Sequence, residues 1–156
     1  MLEKVATAVI VSASSLLFIY WFRYACLLVL TAKPPRDYAS IAETANQLRF
    51  RSVQTTLQQP VAADLDELRR LLDHDYQVLT YLLSRVVTGT DCFASIEKRM
   101  LELDYRVMRV WYIASSRFSR AAACRALDEM SCIVAHFANA MGERTMNAEY
   151  GIRDAT

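Results

Sequence analysis

Apolar residues are distributed unevenly along the chain. From Val5 to Ala32 the only charge is Arg23. A helix needs about 20 apolar residues to cross a bilayer, and this run is longer. Pro34 and Pro35, in "KPPRDY", end it, because proline lacks an N–H and restricts the residue before it. The next stretch predicts one polar helix over 37–58, with Asp37 as its N-cap. Its apolar positions, Ile41, Ala45, Leu48, Val53 and Leu57, form a thin stripe that ends before Pro60.

Past Pro60 the apolar spacing becomes heptadic. Leu65, Leu68, Leu72, Leu79, Leu82 and Val86 form a stripe interrupted once, at Asp75. Asp64, Asp66 and Glu67 suit the positive end of that helix dipole. Gly89, in "TGTD", ends the helix, and Asp91 caps the next. Neither Gly nor Pro occurs from Cys92 to Met141. Two apolar heptads fill that span. The first is Phe93, Ile96, Met100, Leu103, Val107, Val110 and Ala114; the second is Ala123, Leu127, Met130, Val134, Phe137 and Met141. They are out of phase by one residue, which favours a break and reversal at "SSRFS", residues 115–119, over one continuous helix of about 75 Å. Gly142 is expected to end the last helix and residues 145–156 to form a poorly ordered tail.

This pattern predicts an all-α protein. A single N-terminal transmembrane helix (1–32) leads through a proline-bounded polar helix (33–60) to a small antiparallel, coiled-coil-like helical bundle (61–144) and a tail (145–156). Helix packing is assigned to Leu65, Leu72, Leu79, Met100, Leu103, Val107, Leu127 and Met130. Only three Gly and three Pro occur, which suits long helices joined by few turns.

Charge removes one class of partner. Taking Glu3, Lys4 and Arg23 from the 17 acidic and 18 basic residues leaves 16 of each beyond the apolar run. No global field draws the chain to nucleic acid, so no nucleic-acid partner is expected. Residues 61–91 are mainly acidic and residues 98–125 mainly basic, which favours pairing of those helices at their flanks. The basic series Arg99, Arg106, Arg109, Arg117, Arg120 and Arg125, near Trp111 and Tyr112, reads first as a solvated or salt-bridged helix face. Anionic lipid headgroups or an acidic partner are the alternative.

Arg23 sets the expected membrane topology. If Val5–Phe22 spans the hydrocarbon, about 27 Å of helix, Arg23 lies at the interface. Tyr20, Trp21 and Tyr24 then form an aromatic belt around it, and its stem snorkels to the headgroups. If residues 9–31 span, Arg23 lies within the membrane, which is costly and implies a function. Aromatics on both sides of the arginine favour the first placement. Lys4 and the α-amine flank the run on one side, against Arg23, Lys33, Arg36, Arg49 and Arg51 on the other. The positive-inside rule then makes the protein single-pass with its C-terminal domain cytoplasmic. A cleaved leader fits poorly, since Leu30 occupies a small-residue position and Arg23 disrupts the lipoprotein-like "RYAC". Ala8 and Ser12 make a small-xxx-small pair suited to close approach of another membrane helix.

The sequence holds little chemistry. His74 stands between Asp73 and Asp75, but helical neighbours diverge by about 100° and cannot share one ion. His136, in "VAHFA", lies on an apolar stretch and reads as a core or interface residue. There is no Glu-x-x-His pair, glycine-rich phosphate loop, G-x-S-x-G elbow or C-x-x-C spacing. Cys26, Cys92, Cys124 and Cys132 read as reduced thiols. No catalytic residue, metal or cofactor is assigned. The sequence points to a membrane-anchored interaction or scaffold protein that contacts lipid and a protein partner or its own copy. An accessory subunit of a larger membrane complex is the first alternative; a metal- or cofactor-binding helical protein using His74 or His136 is the second.

Overall fold

The computed structural model describes residues 1–31, 38–59, 64–86 and 92–153. Six helices account for them: α1 (Leu2–Thr31), α2 (Ala39–Asn46), α3 (Phe50–Gln58), α4 (Leu65–Val86), α5 (Cys92–Ser115) and α6 (Arg120–Arg153). No strand occurs among the described residues. Asp37, Asp91, Pro34, Pro35, Pro60 and Gly89, assigned above as caps or breakers, lie outside them. The chain forms two compact units, Met1–Lys33 and Pro34–Thr156.

The first unit is α1, whose apolar side chains, from Val5 through Leu16, Phe18 and Ile19, are exposed. Two of its hydroxyls turn back on the helix: Thr7 Oγ1 donates to the Glu3 carbonyl at 2.9 Å, and Ser15 Oγ to the Val11 carbonyl at 2.8 Å. A hydroxyl satisfied this way makes little demand on its surroundings.

The second unit is a bundle with α6 at its centre, packed against α2, α3, α4 and α5. Its expected apolar stripe, Ala123, Leu127, Met130, Val134, Phe137 and Met141, is buried, and Ala126, Ile133 and Ala138 widen it. A helix covered on several sides needs a broader apolar face than one seam supplies. From α4 come Leu68, Leu72, Leu79 and Leu83; Leu65 and Leu82 are half-buried. The reversal between α5 and α6 falls at residues 116–119, where the phase shift placed it. The Ser119 and Phe118 N–H groups donate to the Ser115 carbonyl, and Ser119 Oγ accepts the Ala122 N–H at 3.3 Å, capping α6.

Four expectations need correction. The polar helix over 37–58 is two helices. Gln47 adopts a left-handed conformation (φ 53°) and closes α2, while the Leu48 N–H donates to the Glu43 carbonyl. Leu48 and Phe50 are both buried. On one straight helix they would point roughly 200° apart, so the break is what lets both reach the core.

The α5 stripe is also displaced. Leu103 and Val107, assigned to packing, are 51% and 42% exposed, Met100 is half-buried, and Ile96, Val110 and Ala114 face outward. The buried positions are Leu101, Asp104, Tyr105, Met108, Tyr112 and Ser115. Tyrosine supplies the missing apolar area there, because its ring packs while its hydroxyl finds a polar partner.

Gly142 does not end α6, and the tail expected from residue 145 is helical through Arg153. Gly142 is buried beneath the start of α2, where a Cβ would overlap the carbonyl oxygen and Cβ of Tyr38. Its lack of a side chain permits the close approach of two backbones. Gly142→Ala is therefore expected to destabilise the bundle by about 1–3 kcal/mol, despite alanine's better helix propensity. Thermal unfolding of the detergent-solubilised chain checks this, and an unchanged or raised midpoint would refute it.

Candidate functional site

Two places carry the polar and aromatic groups of interest, one on each unit. The first is the arginine belt of α1. At 100° per residue, Tyr20, Trp21, Arg23 and Tyr24 cover an arc of roughly 160°. Trp21 meets Tyr20 and Tyr24 edge-on, with ring centroids 6.2 and 5.9 Å apart. All three rings are exposed, and Arg23 is half-buried. The belt is a collar of amphipathic side chains. Toward the N-terminus, Ala8 and Ser12 line a shallow recess with Lys4, Val5 and Val9. Among the described residues, the stretch Glu3–Thr31 alone is long and apolar enough to cross a membrane.

The second place is a polar ladder between α4 and α5. The helices run antiparallel, so heptad-spaced pairs meet in reverse order. Tyr105 donates to Asp73 Oδ1 at 3.1 Å, and Tyr112 donates to Asp66 Oδ1 at 3.0 Å. Arg69 Nη1 donates to Asp73 Oδ2 at 2.9 Å, and Arg109 Nε lies 3.5 Å from the same oxygen. Tyr76 stacks in parallel on Tyr105, centroids 3.9 Å apart, and bonds Arg106. Burial, reinforced by the neighbouring carboxylates, pushes the Tyr112 phenol up to about 12 and that of Tyr105 well above its ordinary value. Both stay protonated as donors, so the ladder fixes helix register rather than offering a nucleophile. The sequence carried a signal for it: Asp66 and Asp73 are seven apart, as are Tyr105 and Tyr112.

Beside this ladder, Asp75 is buried on the face of α4 that packs inward. It accepts the Arg49 N–H on Oδ2 at 2.7 Å and also bonds the Phe50 N–H. α3 has no cap of its own, and Asp75 satisfies its first turn from another helix. Asn139 does the same for α2, its Oδ1 accepting the Tyr38 N–H at 2.8 Å. Neither role was read from the sequence, where Asp75 stood as a flaw in a leucine stripe.

The histidines do not converge. His74 is exposed, and His136 Nε2 lies 3.0 Å from Glu97 Oε1, joining α6 to α5. No group of three or more His, Cys, Asp or Glu side chains among the described residues is placed to hold a metal. Cys124 and Cys132 are free thiols, and burial raises the Cys132 thiol above its ordinary value. No protein-family model, curated protein or solved structure matches this chain.

Asp75 yields a prediction opposite to the sequence pattern. Asp75→Leu completes the leucine stripe yet is expected to cost about 2 kcal/mol, because the Arg49 N–H and that of the buried Phe50 lose their acceptor. The pH dependence follows from burial, which holds the Asp75 carboxyl above its ordinary 3.8. The folded chain then binds this proton more tightly than the unfolded chain. Stability from this group is greatest below the unfolded value and falls as pH rises to the folded one. Asp75→Asn removes that slope, so the native chain should gain on it in unfolding midpoint as pH drops from neutral into the carboxylate range. A constant difference between the two would refute the assignment.

Proposed function

We propose that this chain is a single-pass membrane-anchored helical protein whose bundle holds partners at the cytoplasmic face. The observation that carries the reading is α1. It is an apolar helix long enough to span, with most of its apolar side chains exposed and the Thr7 and Ser15 hydroxyls bonded to its own carbonyls, and the second unit buries a core of its own. The aromatic collar around Arg23 supports an interfacial placement of that arginine. The basic flank that follows the span supports a cytoplasmic bundle. Polar groups in the bundle are engaged in capping and helix pairing, which supports a binding role over a catalytic one.

The second reading is an accessory subunit of a larger membrane complex. It is favoured by the recess at Ala8 and Ser12, which would admit another membrane helix closely.

Retention of the full chain in membranes after alkaline carbonate washing tests the anchor; release into the supernatant overturns it. Arg23→Lys should retain both insertion and partners, since a lysine also snorkels, and Arg23→Leu should insert but shift in depth. Loss of a stoichiometric partner in Arg23→Lys with insertion unchanged would move the accessory-subunit reading to first place, because a bidentate guanidinium contact has no ammonium equivalent. For topology, a membrane-impermeant thiol reagent should leave Cys92, Cys124 and Cys132 unlabelled in intact cells and label Cys124 after permeabilisation. Labelling without permeabilisation would place the bundle on the other side.

A further inference from the structure

We infer that the outward face of α5, with the turn that follows it, is a docking surface for an anionic lipid bilayer. This rests on α1 being a membrane anchor. α4 and α5 both pack inward on α6, yet their outer faces differ. That of α4 carries one exposed ring, Tyr81, which is paired with Arg85, and is otherwise polar, with Arg70, His74, Gln77 and Ser84 exposed. That of α5 carries Ile96, Leu103, Val107 and Val110 at alternating heptad spacing, with Trp111 (54% exposed) beside them. Phe118 extends the strip into the turn and is 90% exposed. The helical part is about 21 Å long from residue 96 to residue 110, at ~1.5 Å per residue. An apolar strip of this size on an otherwise polar exterior marks an interaction surface.

The charges along it select the partner. Arg99 and Arg106 flank the strip on one side, and Arg117 and Arg120 bracket Phe118; all four are exposed. Acids near the strip are occupied: Glu97 bonds His136, Glu102 lies 3.7 Å from Lys98, and Asp104 is buried. A second copy fits poorly. In an antiparallel pairing Arg99 and Arg106 would face their own counterparts. In a parallel pairing they would face Asp104, which is buried within its own bundle, and Trp111, which has no charge. An anionic bilayer suits both features. Trp111, Phe118 and the aliphatic strip enter the boundary between headgroups and acyl chains, while Arg99 and Arg117 meet lipid phosphates. Only six residues, 32–37, separate α1 from Tyr38, so an inserted α1 keeps the bundle within a chain reach of about 20 Å from its own end.

The test uses the full chain, one copy per lipid nanodisc, in a Trp21→Phe background so that Trp111 is the sole tryptophan. Discs contain phosphatidylcholine alone, or phosphatidylcholine with phosphatidylglycerol, each with brominated acyl chains. Quenching of Trp111 by the bromines is expected to be about threefold stronger with phosphatidylglycerol, and high salt should weaken it again. Arg99→Glu with Arg117→Glu should abolish the difference; Arg106 is spared because it also bonds Tyr76. Trp111 equally open to aqueous acrylamide in both kinds of disc would overturn the proposal. So would a disulfide between copies formed through Val107→Cys in discs holding two chains, which would give the face to a second copy. Carbonate resistance of α1, measured in parallel, separates failure of this surface from failure of the anchor.

Discussion

Two short helices begin without caps of their own, and the architecture of the bundle depends on how their first turns are satisfied. α2 takes its cap from Asn139 on α6, and α3 takes its cap from Asp75 on α4. A buried N–H without an acceptor costs the desolvation of that group, so each side chain fixes both the position and the direction of the helix it caps. Between the two caps the chain turns through Gln47, and Arg51 pairs with Glu43 across the bend at 3.0 Å. Gly142 completes the arrangement by letting Tyr38 approach the α6 backbone. The long helices thus do more than pack; they supply the hydrogen-bond acceptors that the short ones lack.

This division explains what could be read from the sequence. Long elements were legible: the apolar run of α1, the leucine stripe of α4, and the phase shift that separates α5 from α6. Each rests on the repeated spacing of many residues. The break between α2 and α3 left no such mark, because "NQLR" contains neither Gly nor Pro. The energy that breaks the helix there comes from Asp75, 26 positions from Arg49 in the chain. A single polar residue inside an apolar stripe has the same appearance whether it is an interruption or a cap for a distant helix. Gly142 misled for a related reason. A glycine near a helix end suggests a stop, but here its meaning lies in the neighbour that it admits.

The register of α5 was misread because two faces of that helix are apolar. The outer one is the more regular heptad, so periodicity selected it. The inner one mixes Leu101 and Met108 with Tyr105 and Tyr112, whose hydroxyls reach acids on α4. Periodicity counts apolar residues and gives little weight to a tyrosine whose value depends on a carboxylate elsewhere. The clue that remained was the seven-residue spacing shared by the tyrosines of one helix and the aspartates of the next.

A helix at the rim of a bundle has one inner face to bury, and α4 follows that rule, apolar inside and, but for Tyr81, polar outside. α5 does not. Its outer strip has no task in holding the bundle together, since the inner face already supplies the buried contacts. Exposed apolar area of that kind is a solubility cost without a gain in folding stability. It becomes favourable when something apolar covers it, and the arginines along its edge restrict that cover to one bearing negative charge. A chain that also carries an apolar helix long enough to cross a bilayer has such a surface within reach. On the proposed reading, the exposed face of α5 and the length of α1 answer to the same environment: one element would enter the hydrocarbon, and the other would rest on its charged boundary.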